Sequence, residues 1–215
     1  MARVTDGLLG GISGKIGNLV FYQVNGQTLV RTKPAGGRSS TSSLQSYHQQ
    51  AFALAQEFLS PLKMELAIGF VAFKIGTKRG IDRAKSLLLK NAIYPSEGIP
   101  VMHPTKAQVS SGDLTGASGA VFSASRPDQF RIEWTINSWD GSARDEDKTF
   151  VVVYDTMDLR VFSIQGGSYR KDGYQEVQVP WSSINENAAV YVYFSFYSER
   201  SGKIEFSDSV CLGRI

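Results

Sequence analysis

From Ala189 the chain reads AVYVYFSFYSE. So many β-branched and aromatic residues at a period of two make this a strand and nothing else. Val190, Val192, Phe194 and Phe196 fall on one face, and Tyr191, Tyr193, Ser195 and Tyr197 on the other. The first face belongs in a core. The tyrosine stripe either covers a strand pair or forms a contact surface. Shorter runs of the same kind precede and follow it: Lys106–Ser110, Ala120–Ala124, Gln129–Ile136, Thr149–Asp155, Arg160–Ile164, Glu176–Val179 and Ile204–Leu212. Turn chemistry separates them at Ser111-Gly112-Asp113, Arg126-Pro127-Asp128, Trp139-Asp140-Gly141, Gly166-Gly167, Lys171-Asp172-Gly173 and Ser201-Gly202. Short strands with regular turns predict an antiparallel β-sandwich over 96–215. Cys211 is the single cysteine. The sandwich is therefore expected to be immunoglobulin- or fibronectin-like without a disulfide.

The front of the chain has another character. Gly7, Gly10, Gly11, Gly14 and Gly17 crowd one segment, which reads as an arm built for close backbone approach or flexibility. The piece GISGKIG does not make a phosphate loop. Gly14-Lys15 is followed by Ile16 rather than Ser or Thr, and a strand rather than a helix comes next. Asn25-Gly26 between two β-rich runs predicts a hairpin of Leu19–Val24 and Thr28–Thr32. Its aromatics Phe21 and Tyr22 need a surface to pack on, either the helices that follow or another subunit. Residues 1–36 thus form one unit, a Gly-rich arm and β-hairpin.

Pro34–Ser43 is a polar linker of small residues, basic around Arg31, Lys33 and Arg38. Helical periodicity then runs through Leu44, Tyr47, Ala51, Leu54, Ala55, Phe58 and Leu59, with Ser43 as cap. Ser60-Pro61 stops that helix and opens a second, through Leu62, Leu66, Phe70 and Phe73. Ile81–Ala92 gives a third. Residues 37–95 are the helical segment, and the prolines from Pro95 to Pro104 mark a boundary or linker before the sandwich. The fold class expected is α+β.

The charge is uneven. Residues 1–95 hold 12 Lys and Arg against 4 Asp and Glu, and residues 96–215 hold 11 against 16. A basic front, with Arg31, Lys33, Arg38, Lys78 and Arg79, suits an acidic partner such as nucleic acid, or else reflects two regions with different surfaces. No signal peptide and no apolar run of membrane-spanning length are present. Synthesis in the cytoplasm is expected, with incorporation into a virion or other particle as one destination.

The candidates for chemistry each fail a spacing test. Asp140, Asp145, Glu146 and Asp147 lack the EF-hand spacing and a closing Glu. Asp155 and Asp158 have no His or nucleophile in support, and His48 and His103 have no metal-ligand pattern. Cys211 has no His partner and reads as a packed thiol. No catalytic residue, metal site or cofactor is expected. Trp134, Trp139 and Trp181 offer the sandwich a possible platform for sugar or another surface ligand.

Gly7–Asn18 (GLLGGISGKIGN), then Tyr22, Gly26, Val30-Arg31 and Pro34, resembles the signature of an uncharacterised family common in Bacteroidota and their mobile elements. The likeness continues through FLSPLKMELAIGF (Phe58–Phe70), LLLKNAI (Leu87–Ile93) and SDSVCLGRI (Ser207–Ile215). It implies a hairpin, a helical segment, a C-terminal sandwich and no established enzyme activity. The expectation is a non-enzymatic structural or interaction protein. It would be an oligomer or a subunit of a larger assembly such as a phage virion or tail-associated particle. A ligand-binding module and a nucleic-acid-binding protein are the alternatives. Lys15, Phe21, Tyr22, Arg31, Lys33 and Arg38 are the expected contact residues.

Overall fold

A computed structural model describes residues 3–4, 11–24, 26–34, 36, 41–76, 79–126, 128–181, 189–200 and 202–215. The chain opens on four strands, β1 (Arg3–Val4), β2 (Ile12–Ile16), β3 (Leu19–Val24) and β4 (Gln27–Thr32). Helices α1 (Ser43–Leu59), α2 (Lys63–Gly69) and α3 (Gly80–Asn91) follow, then a hairpin of β5 (Ile93–Ser96) and β6 (Ile99–Met102). The rest is β: β7 (Ser118–Arg126), β8 (Gln129–Thr135), β9 (Lys148–Asp155), β10 (Arg160–Tyr169), β11 (Tyr174–Gln178), β12 (Val190–Arg200), β13 (Lys203–Phe206) and β14 (Val210–Arg214). The α+β expectation holds, with a β-rich C-terminal part.

Strand β12 is the axis of the larger sheet. It pairs antiparallel with β9 along one edge, and with β14 and then β13 along the other, while β10 flanks β9. Both faces of this sheet are buried, because residues of both parities on β9 and β12 are apolar. On one face Val151, Val153, Val190, Val192, Phe194 and Phe196 meet Phe130, Ile132, Trp134 and Val177 of the three-stranded sheet β11–β8–β7. On the other, Phe150, Val152, Tyr154, Tyr193 and Tyr197 meet Phe58, Leu59, Leu62, Leu66 and Phe70 of the helical layer. The tyrosine stripe is therefore covered by the chain's own helices. The arrangement has three layers: helices, a five-stranded sheet and a three-stranded sheet.

Local chemistry explains the element ends. The cap of α1 is Ser42, one residue before the expected Ser43. Its Oγ accepts from the Gln45 N–H at 3.2 Å, and the Gln45 side chain accepts from the Ser42 N–H at 3.1 Å. Ser60 ends α1 rather than starting the next helix, and α2 begins two residues after Pro61, at Lys63. The expected Pro95–Pro104 linker contains a hairpin instead. Pro95 and Pro100 face each other across it, and Glu97 (φ 51°) with Gly98 (φ 81°) makes the tight turn.

Two strand expectations are corrected. Lys106–Ser110 is not a strand. A short 3-10 turn, Pro104–Lys106, leads into an irregular segment. There the N–H groups of Val109 and Ser110 donate to the Ser209 side chain, which replaces a ladder. Ile204–Leu212 is two strands, because Ser207–Ser209 interrupts the ladder to bind that same segment, with Ser207 still donating its N–H to the Phe196 carbonyl of β12. The Ser209 N–H donates to the Ser110 carbonyl at 3.1 Å, and Ser110 Oγ donates to the Ser207 carbonyl at 2.9 Å.

Candidate functional site

The N-terminal unit is a four-stranded meander, in the order β1–β2–β3–β4. The expected hairpin is present as β3–β4, in register from Leu19↔Thr32 to Val24↔Gln27. Gly26 takes φ 77° in its turn, and Asn25 lies outside the described residues. The glycine segment contributes more than an arm, since ISGKI forms β2 and pairs with β3 from Ile16↔Leu19 to Gly14↔Phe21. The alternation of Ile12, Gly14 and Ile16 was the sequence signal for it. Gly17 at φ 56° turns the chain between them. At Gly11 a Cβ would meet the tip of the exposed Gln23 side chain, which would have to swing aside. Gly7 and Gly10 lie outside the described residues.

Register sorts the side chains, because residues opposite one another share a face. Lys15, Val20 and Arg31 form one cross-strand row, and Tyr22 and Leu29 continue that face. Gly14, Phe21 and Val30 form a row on the other face, beside the row of Ile16, Leu19 and Thr32. The structure thus gathers Lys15, Tyr22 and Arg31 and puts Phe21 on the opposite side. Lys33 follows β4, exposed, its N–H donating to the Asn18 carbonyl at 2.6 Å. Arg38 lies outside the described residues.

Among the described residues neither face is buried in a core, and Val20, Phe21, Val24 and Leu29 are half-buried. Ile16 and Val30 are more than half exposed, and Leu19 and Tyr22 are exposed as well. No described residue of the meander belongs to either buried cluster. Among the described residues β4 pairs only with β3, which leaves the other edge of its backbone open. An open edge beside apolar faces is a template for adding another chain.

The model of a family of unknown function, DUF6266, matches residues 11–213. The chain belongs to that family. Neither a curated protein nor a solved structure matches it. The match begins at Gly11 and takes in the last three strands of the meander as well as both cores, so in DUF6266 the exposed sheet is part of the shared unit.

Of the carboxylates that tempt a catalytic or metal reading in this DUF6266 chain, Asp145, Asp147, Asp155 and Asp158 have partners of their own. Asp147 is buried and bound by Arg170 Nε at 3.1 Å and by Arg200. Arg170, fully buried, also donates to Asn137 Oδ1 at 2.7 Å and to the Thr115 carbonyl at 2.7 Å, and it lies over the Phe196 ring. Nothing in the local sequence around Arg170 marks it, since its partners come from distant loops. Asp145 accepts from Trp139 Nε1 at 3.3 Å. Asp155 is buried at the β9–β10 turn. It accepts from the Met157 and Asp158 N–H groups and from Arg160 at 2.9 Å. Burial pushes its carboxyl up, but Arg160 and the two N–H groups outweigh this and hold it below the ordinary value.

His48 packs edge-on to Tyr47 and His103 to Tyr94. Among the described residues no group of three or more His, Cys, Asp or Glu could hold a metal ion. Cys211 donates to the Gly213 carbonyl, and burial pushes its thiol up. Of the three tryptophans, Trp134 is core and stacks on Phe194, Trp181 lies under Arg160, and Trp139 is exposed with Arg144 over its ring. Among the described residues no helix is long and apolar enough to cross a membrane.

Proposed function

We propose that this chain is a non-enzymatic interaction protein, a subunit of a larger assembly, and that the N-terminal meander is the surface by which it joins. One observation carries this reading: a sheet with apolar side chains on both faces shares neither core of its own chain. Taking a fully exposed Leu, Val or Ile side chain out of water stabilises by about 1.5–3 kcal/mol; Ile16, Leu19 and Val30 are about half exposed, so covering the three gives a partner roughly 2–4 kcal/mol. The open edge of β4 adds main-chain hydrogen bonds by strand addition. Lys15 and Arg31 flank Val20 and favour a partner surface with acidic groups.

The concrete form is a phage virion or tail-associated particle, either a self-assembly or a contact with another particle protein. The resemblance of the Gly7–Pro34 signature to Bacteroidota mobile-element proteins supports that setting. The test is a pair of variants, Leu19→Lys and Val30→Lys, with mass measured by sedimentation beside thermal unfolding. The expected result is loss of the assembled species at an unchanged melting temperature, since exposed substitutions away from a core shift stability by about 0.5 kcal/mol or less. Wild-type protein that is already monomeric with no partner in its native particle would sink the reading.

A further inference from the structure

A second feature lies on the helical layer, apart from the meander. The ends of α1, α2 and α3 enclose a groove of about 630 Å³ lined by Gln56, Lys63, Lys74, Arg79 and Lys85. Four cations converge there, and no described carboxylate lines it. Asp82 is the nearby acid, and it is committed to Arg79. It is 3.1 Å from that guanidinium and accepts from the Arg79 N–H at 3.1 Å. Lys63 and Lys74 have no ion pair among the described residues, and Lys85 donates to the amide oxygen of Gln56 rather than to a carboxylate.

Like charges gathered in a concavity repel one another and raise the local potential, which an anion relieves. Elsewhere the chain pairs such groups, as at Asp147 and Asp155. Here it does not. Gly80 lines the groove at the N-terminus of α3, whose positive end is already met by the Asp82 carboxylate in its first turn, so the field of the groove comes from the lysines. Gly80 has its own packing reason, since a Cβ would run into Phe70. Three lysines from separate elements on one groove favour a ligand with several negative groups over a single small anion.

We propose that this groove binds the phosphate groups of a polyanionic ligand, with Lys63, Lys74 and Lys85 as the contacts. The same chemistry comes from a nucleic-acid strand or from a free oligophosphate. Single-stranded DNA and tripolyphosphate are the two probes, titrated separately against the full chain at low salt.

The groove variant is Lys63→Gln, Lys74→Gln and Lys85→Gln together. A charge-matched control on the sandwich is Arg131→Gln, Lys171→Gln and Lys203→Gln, with circular dichroism confirming that both fold. Binding of DNA that falls at least tenfold in the groove variant and holds in the control supports the proposal and names the strand as source. Its affinity should also drop roughly 20-fold between 50 and 200 mM salt, as expected for three single-strand phosphates neutralised. Binding of tripolyphosphate alone, lost in the groove variant, supports it with the free anion as source. No binding of either probe, or equal losses in both variants, overturns it. The variants leave the meander intact, so this outcome is independent of the assembly test.

Discussion

Arg170 has no exposed side-chain surface, yet it carries a charge and sits where the two sheets of the sandwich meet the loops between them. Burial pushes its pKa down, against the pull of Asp147. Asp147 is the carboxylate paired with it, so removing Asp147 strands the guanidinium in a low-dielectric site, whereas removing Arg170 leaves Asp147 its ion pair with Arg200. Asp147→Leu is therefore expected to cost about 3–5 kcal/mol, read as a lower urea midpoint. Arg170→Met with Asp147→Leu should cost less than the sum of the two single changes. Asp155 gives the pH counterpart. Its folded pKa lies below its ordinary value, so its contribution is present above about pH 4 and is lost as pH falls through the folded value. Asp155→Asn should be destabilised at pH 7, and the gap to wild type should close on acidification. An equal gap at pH 7 and pH 2.5 would show that charge is not the cause.

The elements behave as their periodicity dictates, and β12 shows how far that carries. Its two faces were legible residue by residue, with the aliphatic and phenylalanine face in one core. The cover over the tyrosine face was not legible, because alternation says which residues share a side and not what lies on it. The structure puts the helices there, and the tyrosines pay in acidity. Burial raises Tyr154 to about 12, with Glu57 and Asp155 adding to it, and burial likewise raises Tyr193 and Tyr197. A raised folded pKa gives stability that is present below the unfolded value of about 10 and is lost as pH rises through the folded one. Tyrosinate absorbance at 295 nm should show these three ionising only together with loss of the helical signal between about pH 10 and 12. Smooth ionisation with the helices intact would contradict their burial. The misread pieces were Lys106–Ser110 and Ile204–Leu212, where serine side chains substitute for a backbone ladder across a long gap in sequence. No local pattern encodes that exchange.

At the scale of the whole molecule, two buried clusters account for the helices and the eight strands from Ser118 onward, and the meander stands outside both. Removing residues 1–36 should leave the melting temperature within a few degrees of the full chain while abolishing assembly. A large fall in stability would mean that the meander braces the fold. Much of this candidate site was legible: the turn at Gly26, the exposed Tyr22, and the basic pair Lys15 and Arg31. The basic groove was not, because Lys63, Lys74 and Lys85 come from separate elements and meet only when the helices pack. The central position of β12 also sets an order in time. A ribosome emits α1, α2 and α3 long before Val190, so the cover over their apolar faces is incomplete until β12 and Phe206 join the β9 residues Phe150, Val152 and Tyr154. The meander joins only neighbours in sequence and needs no such delay. A nascent chain of this family thus offers its sticky sheet to partners before it has a folded body to present it.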